Sequence, residues 1–298
     1  MAPSLNPDRD CPTFVSGMKT VNDLIRTIRD PRYYQIAVLS LLLTYGIVAL
    51  DFGIYWQNAL ATVFTALSVQ YVASSLLRLP RFDPLSALIT SLSLTLLLRT
   101  DLVILSVTAA ALAIGSKFLL RIRGKHIFNP ANFALVTLML ISDRAWISSG
   151  QWGSAALGAF VLACLGFLVL TRARRAETTI AFIAIYGTLL FARALWLGDP
   201  LGIPLHQMQN GALLIFAFFM ISDPKTTPNS AGGRILYAAL VASVAYIIQF
   251  IHYQPNGPVL ALIMCAPLVP LIDTLLHGRI YRWDHSAERE PGPIKGVF

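Results

Sequence analysis

The residues with the greatest capacity for chemistry are gathered in one stretch, 218–234, FFMISDPKTTPNSAGGR. An apolar run ends at Ile221, and Asp223, Lys225, Thr226, Thr227 and Asn229 follow, interrupted by Pro224 and Pro228. Each proline removes a backbone donor and disfavours helical geometry in the residue before it, so the stretch cannot be helical throughout. It offers a carboxylate, an ammonium, hydroxyls and unpaired backbone N–H groups beside apolar walls. That set suits a polar, phosphorylated or heterocyclic group at a membrane surface. The same residues also describe a solvated turn between two membrane spans, and residue types alone leave both readings open.

Two further sets accompany this loop. Asn129 and Asn132 stand in Phe128-Asn129-Pro130-Ala131-Asn132, at the head of an apolar run. Ser86, Thr90 and Ser93 are spaced i, i+4, i+7 and share one helix face. Small hydroxyl residues also mediate tight helix packing in membranes, so this stripe reads equally as packing or as a site. The sequence has no GxxxxGK[ST], no HExxH and no Ser-His-Asp arrangement. Cys11, Cys164 and Cys265 are scattered without a CxxC, which excludes a disulfide framework or a zinc site. The five histidines fall at segment ends or in loops and read as interfacial. No Asp, Glu, Lys or Arg lies at the middle of an apolar segment, which makes this chain alone a poor proton pump. A neutral or heterocyclic ligand, or a redox cofactor, suits such an interior better.

The elements that must position these residues are membrane helices. Of 298 residues 56% are hydrophobic and 13% charged, about half the charge of a soluble chain. Mean hydropathy is +0.65. The fold class is all-α, a polytopic membrane protein with ten apolar segments, near 34–50, 56–77, 84–98, 102–120, 127–141, 152–171, 178–197, 208–221, 235–253 and 257–275. The third, fifth and eighth are shorter than the roughly 20 residues of a full span. One transmembrane domain, 34–276, is flanked by tails at 1–33 and 277–298. Residues 21–28 read as a short interfacial helix, and no cleavable signal is visible. Ten spans put both termini on one side. Nineteen Lys and Arg then fall on that side, and only Arg99 and Arg144 in loops on the other. Lys117 and Arg193 sit near span ends, where long side chains snorkel. This asymmetry makes both termini and the 218–234 loop cytoplasmic. It also explains the net charge of +8 without nucleic acid.

Five spans per half invert the second half, 152–275, relative to the first, 34–141. Asp83-Pro84-Leu85 precedes segment three and Asp199-Pro200-Leu201 segment eight; Asn129-Pro130 precedes segment five and Asn256-Gly257-Pro258 segment ten. Short or proline-interrupted spans at matching positions of inverted halves point to a central binding site.

Four stretches together resemble one family. FDPLSALITSLSLTLLLR (82–99), GKHIFNPANFALV (124–136), FFMISDPKTTPNSAGGRILYAAL (218–240) and PNGPVLALIMCAPLVPLID (255–273) are similar, in order and spacing, to the NqrB/RnfD family. Its members are the RnfD membrane component of the Rnf electron transport complex and the NqrB membrane component of the sodium-translocating NADH:quinone oxidoreductase. The resemblance implies a ten-helix inverted-repeat fold in a bacterial inner membrane and a redox subunit that moves electrons through flavins, FMN or riboflavin, beside other redox subunits or a second copy. Members carry FMN on a Thr of a Ser-Gly-Ala-Thr run before span eight. The matching stretch here, Gly198-Asp199-Pro200-Leu201-Gly202-Ile203-Pro204-Leu205, has no hydroxyl, so a flavin is expected to be non-covalent. Its expected contacts are Asn129, Asn132, Asp223, Lys225, Thr226, Thr227 and Asn229. The alternative is a transporter or channel for a small neutral solute or vitamin on the same architecture.

Overall fold

The computed structural model describes residues 30–79, 82–122, 124–147, 165–166 and 176–278. Its helices are α1 Pro31–Val48, α2 Trp56–Leu76, α3 Pro84–Leu97, α4 Val103–Leu119, α5 Pro130–Ile141, α6 Ala176–Leu197, α7 Gly202–Met208, α8 Gly211–Ile215, α9 Ala231–Phe250, α10 Gly257–Cys265 and α11 Val269–Leu275. A π-helical turn, Phe216–Met220, extends α8, and a 3-10 turn, Ala266–Leu268, joins α10 to α11. Four two-residue strands pair antiparallel, β1 Leu98–Arg99 with β4 Trp146–Ile147 and β2 Arg121–Ile122 with β3 Lys125–His126. The protein is an all-α polytopic membrane protein. Among the described residues, four helices are long and apolar enough to cross a membrane: Trp56–Leu76, Ala176–Leu197, Ala231–Phe250 and the broken Gly257–Leu275. The interfacial helix at 21–28, most of the C-terminal tail and all of the expected sixth segment, 152–171, except residues 165–166 lie outside the described residues.

Three helices of the first half begin by the same local device. Asp30-Pro31, Asp83-Pro84 and Asn129-Pro130 each place an oxygen-bearing side chain before a proline whose missing N–H and fixed φ suit the first helical turn. Asp30 accepts from the Arg32 N–H at 3.0 Å, Asp83 from Ser86 at 3.4 Å and Asn129 from Asn132 at 3.1 Å. α1 thus starts at Pro31, inside the expected tail, and α5 starts at Pro130 rather than at 127.

The three starts lie at one end of the molecule, which we call the loop end. Arg32 Nη1 bonds Asp83 at 3.0 Å, and Asp83 and Asn129 line a common cavity with Asp223. In the second half, α8 and α10 begin at the opposite end. Asn210 caps α8, accepting from Ala212 N–H at 2.8 Å. Asn256, at φ 63°, precedes α10 without a side-chain cap. Both line a cavity with Leu97, at the far end of α3, and Ile147, in β4 beyond the far end of α5. The short helices of the two halves therefore enter from opposite faces.

One expected correspondence fails. Asp199-Pro200-Leu201 does not start the counterpart of α3. It leads into the additional helix α7, and Asp199 pairs with Arg193 at 3.5 Å. The expected segment 208–221 accordingly divides between the end of α7 and α8 with its π turn.

Packing repeats between the halves. α2 lies on α4 and α4 on α5; α6 lies on α9 and α9 on α10; α5 meets α10 across the halves. Leu39, Leu94, Leu135, Phe182 and Phe216 are fully buried. Phe182 stacks on Tyr186 at 5.4 Å and tilts against Phe216 at 5.1 Å. At the α9–α10 contact a Cβ on Gly257 would stand 2.6 Å from the Ala245 carbonyl oxygen, whereas one on Gly115 would meet nothing within 4 Å. Gly257→Ala is expected to destabilise the protein by about 1–3 kcal/mol, as overpacking does. Gly115→Ala, inside α4, is expected to be neutral or to stabilise by up to about 1 kcal/mol. Thermal unfolding of both variants in detergent checks the contrast.

Candidate functional site

α5 has 12 residues, about 18 Å of helix, and cannot cross a bilayer alone. α3 and the α8–π segment are similarly short. Their ends leave backbone groups that something other than lipid must satisfy. At the loop end the solution is built around Asp223. The Ile221 N–H closes the π turn on the Phe216 carbonyl at 3.0 Å. The Asp223 carbonyl then accepts from the N–H groups of Thr226 and Thr227, both at 3.1 Å, and from their hydroxyls at 3.4 and 3.0 Å. Asp223 Oδ1 accepts the Lys225 N–H at 2.9 Å. Asn129 Nδ2, at the head of α5, donates to Asp223 Oδ2 at 3.3 Å and reaches the Met220 carbonyl at 3.5 Å.

A cavity of about 250 Å³ opens beside this loop. Asn129, Asp223 and Lys225 line it, together with Arg32, Lys117 and His126. Ser86, Thr90 and Ser93 supply hydroxyls along one wall, and Ile89, Phe218 and Phe219 supply apolar surface. Lys117 Nζ donates to the Ser86 carbonyl and hydroxyl, both at 3.0 Å.

The expected contacts divide among three places. Asn129, Asp223 and Lys225 meet in the cavity. Asn132 is buried behind it, its N–H on Asn129 and its Oδ1 without a partner among the described residues. Thr226 and Thr227 are buried in the loop's own hydrogen bonds. Asn229 lines a neighbouring cavity of about 280 Å³ with Lys125, Asp273 and His277. There the Lys125 ammonium bridges the Thr227 carbonyl, Asn229 Oδ1 at 3.2 Å and Asp273 Oδ2 at 3.0 Å.

The sequence reading missed four side chains. Lys117 was expected to snorkel to the interface; it is 5% exposed, held on the first turn of α3. Arg32 and Asp83 read as tail and loop charges, yet they pair at the cavity mouth. His126 read as interfacial and is half-buried in the cavity wall. The Asp-Pro and Asn-Pro dipeptides were the available signal for Arg32 and Asp83. Nothing local in the sequence marks Lys117.

Burial pushes the Asp223 carboxyl above its usual range, against the Lys225 N–H and the Lys117 charge. Burial lowers the Lys225 ammonium, partly offset by Asp223. Burial, then the Arg121 charge, holds His126 down to about 3.

Residues 147–282, which include the Asp223 loop, match the model of the NQR2, RnfD, RnfE family. Relatives named as the D component of an ion-translocating oxidoreductase complex are similar to the chain in several bacteria. That of Tolumonas auensis is 35% identical over 102 residues, 33% of this chain and 29% of the relative. That of Erwinia tasmaniensis is 32% identical over 117 residues, 39% and 33% of the two chains. That of Citrobacter koseri is 29% identical over 140 residues, 46% and 35%. The matches span about a third of the length of these relatives.

His126 predicts a pH response. The unfolded chain binds its proton near pH 6.5, which the folded protein refuses until about pH 3. Stability from this group is complete above pH 6.5 and is lost as pH falls below it, by up to about 2 kcal/mol at pH 5. Detergent melting curves at pH 7.5 and 5 should therefore separate further for the native protein than for His126→Gln.

Proposed function

We propose that the chain is a membrane-embedded electron-transfer subunit of a bacterial inner-membrane oxidoreductase complex, binding a flavin, FMN or riboflavin, non-covalently in the Asp223 cavity. The observation that carries this reading is the convergence of Asn129, Lys117, Lys225 and Asp223 on one cavity with an apolar Phe218–Phe219 wall. The pyrimidine edge of an isoalloxazine needs donors and acceptors, which the carboxamide, carboxylate and ammonium groups provide; its dimethylbenzene end needs apolar wall. The hydroxyls of Ser86, Thr90 and Ser93 suit a polyol chain. The bound flavin would supply one- and two-electron chemistry. This chain's residues bind and orient it, and Lys117 and Lys225 offset the negative charge of the reduced ring. The family match and the names of the relatives support a subunit working beside other redox subunits or a second copy, embedded in lipid. The excess of Lys and Arg at the loop end supports a cytoplasmic cavity and cytoplasmic termini. The segment 198–205, without a hydroxyl, supports a non-covalent link.

Purified protein should show a flavin absorption spectrum near one equivalent, and no fluorescent band should survive a denaturing gel. Lys225→Ala and Lys117→Met should each weaken flavin binding about ten- to a hundredfold, the loss of one charged hydrogen bond. Unchanged occupancy in both variants, measured by absorbance after gel filtration, would remove the flavin from this cavity.

A further inference from the structure

Independently of the flavin reading, we propose that α2, α3 and α4 enclose a water file through the first half of the chain, closed in this structure by an apolar plug. α2 is a membrane-length helix with little of its surface buried, and what it buries is mostly polar: Asn58, Thr62, Ala66, Gln70 and Ser74. These residues recur every four positions and form one stripe along the helix. Thr62 satisfies its hydroxyl on the Asn58 carbonyl at 2.8 Å. Asn58 Oδ1, Gln70 Oε1 and Ser74 Oγ have no protein partner among the described residues, though these side chains are only 9%, 5% and 6% exposed. A buried polar atom left unpaired costs about 1–3 kcal/mol, so three on one stripe point to water as the partner.

Two cavities enter the interface of these three helices from opposite ends. The 250 Å³ cavity at the loop end takes in Gln70 of α2, Ser93 of α3 and Lys117 of α4. A cavity of about 180 Å³ at the other end takes in Thr62 of α2, Thr95 of α3 and Ser106 of α4. Along α3 the adjacent residues Ser93 and Leu94 line one cavity each. Along α2 the gap from Thr62 to Gln70 is about 12 Å of helix. Between them Ala66, Ala87, Ala110 and Ile114, all fully buried, pack as a small cluster of their own. Apolar constrictions of this kind close water-filled paths by dewetting.

The groups along the file, rather than the charges at its two mouths, define what it admits. Lys117 stands in the wall at one end with Asp83 and Asp223, and Arg99 at the other with Asp101, so each end holds both signs of charge. Along α2 the stripe carries only carboxamides and hydroxyls, Asn58, Thr62, Gln70 and Ser74, with no ionisable group of the kind ion pathways need, so the permeant is water and not sodium or a proton.

Proteoliposomes under an osmotic step, followed by stopped-flow light scattering, test this. Because the loop-end mouth is shared with the cavity assigned to flavin, the protein is measured both as purified and after dialysis against flavin-free buffer. The native protein should match empty vesicles. Ile114→Ala, which thins the plug, and Ala66→Ser, which completes the polar stripe with little added volume, should each raise water permeability severalfold in the dialysed samples. Neither should admit sodium or protons, read with entrapped indicator dyes. Two well-folded, reconstituted variants indistinguishable from empty vesicles would overturn the file. A cation leak accompanying the water would overturn the assigned permeant.

Discussion

A helix that stops inside a bilayer leaves backbone N–H and C=O groups that lipid cannot satisfy. α3, α5 and the α8–π segment all stop short, and much of the polar architecture follows from that constraint. Asp83 and Asn129 cap two of these ends at one face; Asn210 caps the third at the other. Each cap needs polar surroundings, so each group of short-helix ends coincides with a cavity. The inverted halves produce such a place at both faces.

The Asp223 loop meets the constraint most fully. Its backbone carbonyl gathers two N–H groups and two hydroxyls, and its carboxylate ties the loop to the head of α5. Lys125 fastens the other side of the loop to α11 through Asp273. Arg234 holds the Asn229 carbonyl at 2.8 Å and the Glu177 carboxylate at 3.3 Å, adding α6. A half-buried carboxylate is costly unless hydrogen-bonded and faced by cations, and here it has both. What remains accessible is the cavity face, where Lys225 and Asn129 point alongside it.

The family match begins at residue 147, but the cavity does not belong to the second half alone. Arg32, Lys117 and Asn129 come from the first half, and Phe218, Asp223 and Lys225 from the second. A ligand seated there touches both halves, so its binding is coupled to how the halves pack, through α5 on α10 and Asn129 on the loop.

Composition and periodicity by themselves determined that the chain is an all-helical membrane protein, because apolar runs and charged interruptions are one-dimensional properties. Local chemistry also determined where α3 starts, since an Asp before proline acts within three residues; the same device at Asn129-Pro130 sets the start of α5 three residues later than the apolar run suggested. It equally located the loop at 218–234 as the polar centre of the second half. It did not determine which of that loop's side chains face outward. Thr226 and Thr227 have hydroxyls fit for a ligand, yet turn into the loop because the Asp223 carbonyl lies within their reach. Asp199-Pro200-Leu201 copies Asp83-Pro84-Leu85 in letters but leads into α7, since the chain places a second cap, Asn210, further on. Lys117 looked like a span-end cation bound for the interface and instead lies buried on Ser86, 31 residues away in sequence. Asn129 and Asp223 meet across 94 residues. Such meetings are set by how helices pack from opposite faces, and packing depends on the facing surface, which no local spacing records.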